Sequence, residues 1–436
     1  MLKDTFCSSP WFHVKVTHAG DFTSCRWGKE TLTEQNIKST NILQFYNSDQ
    51  MRSLRMELLD GQSPAQCSDC YYQDSFNKLN GRRRQLNKSA INVDNFELTM
   101  RGSPHYKLFE HSYNNNGHSQ YNPVDLQIDL GNLCNSACIM CHPSASSRLA
   151  ADYKKLHIVN KDLFKQPNNH TPWSQDPEIL GKFIDELITV PNLKYIHFLG
   201  GETLYDESFY TICDKLIEHG LAKDIIVGTT TNGTIYNQRL EKIITEFKEF
   251  HLGISIESVT ELNDYIRWPG KISNILDNID KFLNLRQSTP ELNLILRITP
   301  NIFSIYELDQ LIEFMIEKDI TAESCNILSY PDYLKIELMP EDIRQEILIK
   351  LDALTEKYQF TKTNIVNVRR ADLAKKVIAD IVTDYAEFIR TYTVPDDVEK
   401  LRNNLVQSLK AFETIRGNSI LDYAPRYEKF LRSYGY

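Results

Sequence analysis

Leu130-Gly-Asn-Leu-Cys134-Asn-Ser-Ala-Cys138-Ile-Met-Cys141-His-Pro follows a run in which Val124, Leu126, Ile128 and Leu130 alternate with Asp125, Gln127 and Asp129. That alternation is the pattern of a β-strand. It puts three cysteines, spaced C-x3-C-x2-C, on the loop leaving the strand's carboxyl end. Three thiolates on one short loop can hold three irons of a 4Fe–4S cube and leave the fourth open to a substrate, whereas full four-cysteine ligation makes an electron carrier. The competing readings are a zinc knuckle and three buried structural thiols. Zinc sites favour paired C-x2–4-C units closed by a second pair, which this loop alone lacks.

In spacing and setting the loop resembles the radical S-adenosylmethionine (radical SAM) superfamily. The resemblance implies that the open iron binds the amino and carboxylate groups of SAM. One electron then cleaves SAM to methionine and a 5′-deoxyadenosyl radical, which abstracts hydrogen from a substrate. The family usually has an aromatic residue before the third cysteine; here Met140 stands there, apolar and able to pack over an adenine.

Composition sets outer limits. A chain of 436 residues, 41% hydrophobic and 25% charged, is long enough for two domains or one large domain with appendages. Its net charge of −9 carries no global basic field, so nucleic acid is not an expected partner. No apolar run approaches a membrane span, and Met1-Leu-Lys-Asp opens no signal-peptide pattern. The nine cysteines are an odd number, and seven of them fall into two groups. A reducing cytoplasm is the expected setting.

The second group lies in residues 1–80. Cys7-Ser-Ser-Pro-Trp11 leads into the alternating stretch Phe12–Thr17, a turn at His18–Asp21 and a returning strand to Cys25. A helix over Ser48–Leu59 follows, then Gly61 and Cys67-Ser-Asp-Cys70. Four thiolates gathered from a hairpin and a post-helical C-x2-C suit either zinc or a fully ligated 4Fe–4S cluster. The motifs C-x2-PW, G-x4-C and Gly-x5-C-x2-C resemble the SPASM/twitch module of many radical SAM enzymes, placed here before the barrel. That resemblance assigns Cys7, Cys25, Cys67 and Cys70 to an auxiliary 4Fe–4S cluster, with structural zinc the alternative. Residues 81–120 read as a connection, with a basic cluster at Gly81-Arg-Arg-Arg84 and Lys88.

From Val124 the pattern turns to strands alternating with helices. Further strands are predicted at 195–199, 224–229, 252–256, 292–298 and 324–329. Helices fall near 145–156, 176–187, 208–218, 238–250, 271–286 and 305–318, with an insertion at 158–175 that contains Asn168-Asn169. Such alternation implies a parallel sheet with right-handed crossovers. The expected fold class is α/β, and over 121–335 the alternation resembles the partial (β/α)6 TIM-like barrel of the radical SAM core, which implies sites at the strands' carboxyl ends. Residues 336–436 form a helical extension, with helices at 341–358, about 366–390 and 398–414.

The strand ends supply candidates for SAM contacts. Gly200-Gly201-Glu202-Thr203 resembles the family's GGE motif, which receives the SAM amino group. Asn232, Ser255 and Glu257 are polar residues at the next two strand ends. Tyr265-Ile-Arg267-Trp-Pro-Gly270 resembles a Y-x-R-x-P-G stretch in which Arg267 would meet the SAM carboxylate, a task suited to a forked guanidinium. Arg297, Thr299, Asn301 and Ser329-Tyr330-Pro331 complete the rim, while Cys213 and Cys325 read as small buried hydrophobes. The expected function is reductive SAM cleavage and hydrogen abstraction, most simply for oxidative modification, dehydrogenation or crosslinking, of a peptide or small molecule. Radical rearrangement or epimerisation, and a non-catalytic zinc or iron–sulfur protein, are the alternatives. A reductant such as a flavodoxin or ferredoxin is an implied partner, and a membrane is not. No residue outside the clusters can be singled out as a catalytic acid, base or hydrogen donor.

Overall fold

The computed structural model describes residues 5–25, 35–76, 83, 87, 104–167, 171–322, 325–360 and 370–436. Arg82, Arg84 and Lys88 of the basic cluster, Asn168-Asn169, Ser324 and Arg369 lie outside them. Among the described residues, eight strands form one sheet in the order β2-β1-β3-β4-β5-β6-β7-β8. They are β1 His13–Val16, β2 Phe22–Thr23, β3 Asp125–Asp129, β4 Tyr195–Leu199, β5 Ile226–Thr231, β6 Glu249–Ser255, β7 Leu292–Arg297 and β8 Thr321–Ala322. Of these strands β1 and β2 pair antiparallel and the other neighbours pair in parallel.

Helices join the parallel strands, as a parallel sheet demands. Asp176 starts one of them: its carboxylate accepts from the N–H groups of Glu178 (3.0 Å) and Ile179 (3.2 Å), and Pro177 occupies the first turn. Leu126, Ile128, Ile196, Phe198, Leu252, Ile254, Leu294 and Leu296 are fully or almost fully buried in the main core. The alternate positions carry Gln127, His197, His251 and Arg297, so the sheet's other face is polar. Crowding on that face is tight at Gly253, where a Cβ would come 2.5 Å from Arg297 Nε.

Three strands depart from expectation, β5 by running from Ile226 to Thr231 rather than over the expected 224–229. The last one lies at Thr321–Ala322, not at 324–329. Ile327 and Leu328, whose apolar character suggested a strand, instead form part of a cavity wall. The helix expected to reach Phe250 ends at Glu246, because Phe250 already belongs to β6 and pairs with Leu292.

The N-terminal hairpin continues the core sheet. His13 lies opposite Asp125 and Val16 opposite Ile128, so β1 covers the edge of β3 that would otherwise expose its N–H and C=O groups. Behind the hairpin, Phe6, Trp11 and Phe109 pack edge-on or tilted around one another. Arg55 is fully buried there and donates to the carbonyls of Pro10, Tyr46 and Gly117. Its guanidinium thereby ties the cysteine-rich segment to the start of β1.

A second tie joins this region to the helix Pro177–Leu187, where the Glu186 carboxylate accepts from the Ile42 N–H. Burial pushes the Glu186 carboxyl up to about 7. Its folded-state value then exceeds the unfolded one, so the folded chain holds the proton more tightly and stability falls as pH rises from about 4.5 to about 7. Glu186→Gln is expected to flatten that part of the melting-temperature profile, measured by circular dichroism from pH 4 to 8. An unchanged slope would rule Glu186 out as its source.

In the C-terminal region, helices span Glu341–Tyr358, Arg370–Thr391 and Val398–Arg416. The second packs on β8, and Tyr385 bonds both the N–H (3.1 Å) and the carbonyl (2.8 Å) of Asn326. Among the described residues, no helix is long and apolar enough to cross a membrane.

Candidate active site at the carboxyl ends of the strands

The three-cysteine loop leaves β3 and is held along its length by backbone. Leu130 N–H bonds the Leu199 carbonyl (2.8 Å), Ala137 N–H the Trp268 carbonyl (2.6 Å) and Ile139 N–H the Ile266 carbonyl (2.9 Å). Cys138 therefore sits between two anchored residues. The Ser146 hydroxyl caps the Ser136 carbonyl (2.6 Å), and the Ser136 N–H points at Cys134 Sγ (3.4 Å). All three cysteines are free thiols. Burial pushes Cys134 and Cys141 up to about 12 and raises Cys138 as well.

The GGE segment packs directly onto this loop. A Cβ on Gly201 would fall 2.5 Å from the Leu133 carbonyl oxygen and 2.7 Å from Asn132 backbone atoms, and Gly200 adopts φ +154°. Glycine is thus demanded by the approach of two backbones. Glu202 N–H closes the contact by bonding the Leu133 carbonyl (2.9 Å). The Glu202 carboxylate is buried and occupied: it accepts from Leu204 N–H (3.1 Å), Thr231 Oγ1 (2.6 Å) and Asn232 N–H (2.5 Å). Glu202 thus braces the end of β4 against the end of β5. Asn232 passes the brace on, its amide donating to Asn135 Oδ1 (2.7 Å) and Ser136 Oγ (2.9 Å) on the cysteine loop. The buried Thr203 hydroxyl has no hydrogen-bond partner.

Beside the loop lies a cavity of about 380 Å³. Met140, Ser255, Glu257, Arg267, Arg297 and Tyr330 are among its lining residues, so four of the predicted SAM contacts meet here with two residues of the predicted rim. Glu257 is buried at the end of β6; it accepts from Arg267 Nη2 (2.5 Å) and Thr299 N–H (2.9 Å). Burial raises the Glu257 carboxyl, and the Arg267 charge opposes that rise. Arg267 also presents Nη1 to Cys138 Sγ at 4.0 Å, while its buried Nε has no partner. Asn301 Nδ2 lies 3.9 Å from Met140 Sδ and steadies the methionine.

At the amino-terminal end of the parallel strands, Cys7 precedes β1 and Cys25 follows the antiparallel β2, while Cys67 and Cys70 lie at the start of the helix Ser68–Phe76. The four thiols are close enough to interact. Burial raises Cys7, and Cys25, Cys67 and Cys70 raise it further; Cys67 is pushed up to about 12 by burial, then by Cys25 and Cys70.

The donor sets fit iron–sulfur clusters: soft cysteine sulfurs, none in a disulfide, with an N–H or guanidinium aimed at a sulfur. Among the described residues, no three His, Cys, Asp or Glu side chains converge on one metal-ion position. A cube, which takes its cysteines on separate irons, does not need that convergence. Sequence reasoning missed the wall residues Asn326, Ile327 and Leu328, which follow a strand too short to show periodicity. It also missed Asn135, Ser136 and Ser146, whose roles depend on loop geometry.

Comparison with known proteins bears on the same two segments. The sequence model of the radical SAM superfamily matches residues 128–315, and that of SPASM, an iron–sulfur cluster-binding domain, matches residues 7–71. No curated protein matches the chain. Among solved structures, native anSMEcpe with bound AdoMet is similar at 16% identity, over 54% of this chain and 61% of that one, with a TM-score of 0.36. Streptococcus suis SuiB bound to S-adenosylmethionine is similar at 14% identity, over 71% of this chain and 64% of that one, with a TM-score of 0.34. Each match spans less than two thirds of the solved chain. At such scores it is the two sequence models that identify the segments.

Proposed function

We propose, from the premise that this chain belongs to the radical SAM superfamily, that Cys134, Cys138 and Cys141 hold the 4Fe–4S cluster at which it cleaves SAM. The adjoining cavity receives SAM. The observation that carries this reading is the arrangement around Cys138: a half-buried thiol on a doubly anchored loop, 4.0 Å from a guanidinium that lines the cavity. When bound, the cluster supplies the electron that splits SAM into methionine and a 5′-deoxyadenosyl radical.

The chain's own residues divide the remaining work. Arg267, oriented by Glu257, turns a fixed positive charge toward the cavity for the SAM carboxylate. Gly200, Gly201 and Thr203 offer backbone and a buried hydroxyl to the SAM amino group. Glu202 and Asn232 hold the second and third strand ends against the cysteine loop, acting through position. Met140 and Ser255 border the adenosine. Cys7, Cys25, Cys67 and Cys70 hold an auxiliary 4Fe–4S cluster.

The substrate approaches past Ile327 and Tyr330, large side chains that line the cavity and remain exposed. An apolar and aromatic mouth suits a peptide or small molecule, and an auxiliary cluster suits an oxidative reaction that must dispose of an electron. The organisation follows as a cluster module over 1–80, a connection over 81–120, a SAM-cleaving core over 121–335 and a helical region over 336–436. Two groups of cysteines, none in a disulfide, suit a reducing cytoplasm, where a flavodoxin or ferredoxin supplies electrons.

The test is direct. Protein reconstituted anaerobically with iron and sulfide, then reduced, is expected to convert SAM to 5′-deoxyadenosine and methionine, quantified by liquid chromatography. Intact clusters without either product would refute the reading.

A further inference from the structure

The last turn of the helix Val398–Arg416 reaches the cysteine loop. This helix packs along Ser147–Val159, and Gly417, at φ +73°, ends it immediately after Arg416. The Arg416 side chain is 2% exposed. Its Nη2 donates to the Ala137 carbonyl (2.6 Å) and to Asp152 Oδ2 (2.9 Å), and Nε donates to the same carboxylate (3.2 Å). The guanidinium lies 4.4 Å over the Phe412 ring, and its buried Nη1 has no partner.

Both peptide groups that flank the Ala137 Cα are thereby held, the preceding one by the Trp268 carbonyl at the Ala137 N–H and the following one by Arg416 at the Ala137 carbonyl. The next residue is Cys138. Two guanidinium charges act on that sulfur, from Arg267 and Arg416, with Glu257 opposing. Arg267 lines the cavity; Arg416 is not among the cavity-lining residues. Arg416 also lies outside residues 128–315, so nothing in the superfamily match assigns it a role.

We propose that Arg416 is a positioning residue for the SAM-cleaving cluster: it fixes the Ala137–Cys138 peptide and places a permanent positive charge behind it. The helical C-terminal region is on this view part of the cluster site. The inference rests on the reading that Cys134, Cys138 and Cys141 hold the cluster. Reduction adds one negative charge to that site, and a buried cation nearby stabilises the reduced form.

The experiment is a redox titration of the reconstituted full-length protein. It follows the iron–sulfur electron paramagnetic resonance signal that changes on adding SAM, in wild type, Arg416→Gln, Arg416→Lys and Asp152→Asn. Removing the cation is expected to shift the midpoint potential of that signal to more negative values. Removing the Asp152 carboxylate, which partly cancels the cation, is expected to shift it the other way. Lysine keeps the charge without the fork and is expected to fall between wild type and glutamine.

Opposite shifts cannot come from simple loosening of the fold, which would move both variants alike. Unchanged potentials in folded, iron-replete variants, or shifts of the same sign, would overturn the proposal. If Arg416→Gln does not fold, Arg416→Lys and Asp152→Asn decide by the same signs. A wild-type protein without any SAM-responsive signal would instead overturn the underlying reading and this inference with it.

Discussion

Replacing Cys134, Cys138 and Cys141 together by alanine is expected to abolish SAM cleavage and to lower the iron content from about eight to about four per chain. The remaining iron is expected at Cys7, Cys25, Cys67 and Cys70; Cys7 and Cys25 flank β1 and β2 at the amino-terminal end of the parallel strands, away from the loop that leaves β3. The fold is expected to survive, because the loop is anchored through backbone at Leu130, Ala137 and Ile139, and no cysteine side chain makes these bonds. Iron analysis, circular dichroism and electron paramagnetic resonance with and without SAM check the three parts separately. A variant that keeps all its iron and its SAM-dependent signal would remove the loop from the chemistry. About four irons plus one zinc in the wild type would instead leave SAM cleavage intact and make the N-terminal group structural.

Gly201→Ala is the second large effect. The added methyl would meet the Leu133 carbonyl oxygen at 2.5 Å and Asn132 backbone at 2.7 Å, distances that real Cβ atoms do not tolerate. Backbone has no rotamer by which to yield, so the cysteine loop must move. A misplacement near 1 Å at a reacting centre costs on the order of 100-fold in rate, and that is the expected loss in 5′-deoxyadenosine formation, accompanied by weaker iron retention. Gly181→Ala provides the control. It lies within the helix Pro177–Leu187 with nothing inside 4 Å of the new methyl, and is expected to stabilise the fold by about 0.5–1 kcal/mol without affecting turnover. Equal activity in the two variants would show that the Gly201 contact does not position the loop.

Periodicity made most of the core legible. β4 occupies the predicted residues 195–199, and the helix Glu341–Tyr358 coincides with its predicted span. The cysteine loop and GGE were readable because glycines and cysteines are scarce and their spacing is local. Long-range effects were hidden. Nothing near His13 announces that β1 will pair with Asp125–Asp129, and Thr321–Ala322 is too short to alternate. Glu202 looked like a ligand contact from its motif, yet its carboxylate is filled by Thr231, Asn232 and Leu204, partners known only once the strands are side by side. Arg416 reaches Ala137 across 279 positions of sequence, beyond any local pattern.

Strand order also bears on how the chain is made. β1 sits between β2 and β3, and β3 comes after the whole four-cysteine segment in sequence. At about 5–20 residues per second, translation leaves an interval on the order of 3–12 s between the emergence of Cys70 and that of Asp129. During that time the hairpin carries a bare parallel edge, and the first four thiols are accessible while the second site does not yet exist. Metal delivery within that interval can reach only the N-terminal group. The loop of Cys134, Cys138 and Cys141 gains its anchors only once Ile266 and Trp268 have been made, so the N-terminal group has the earlier opportunity to load.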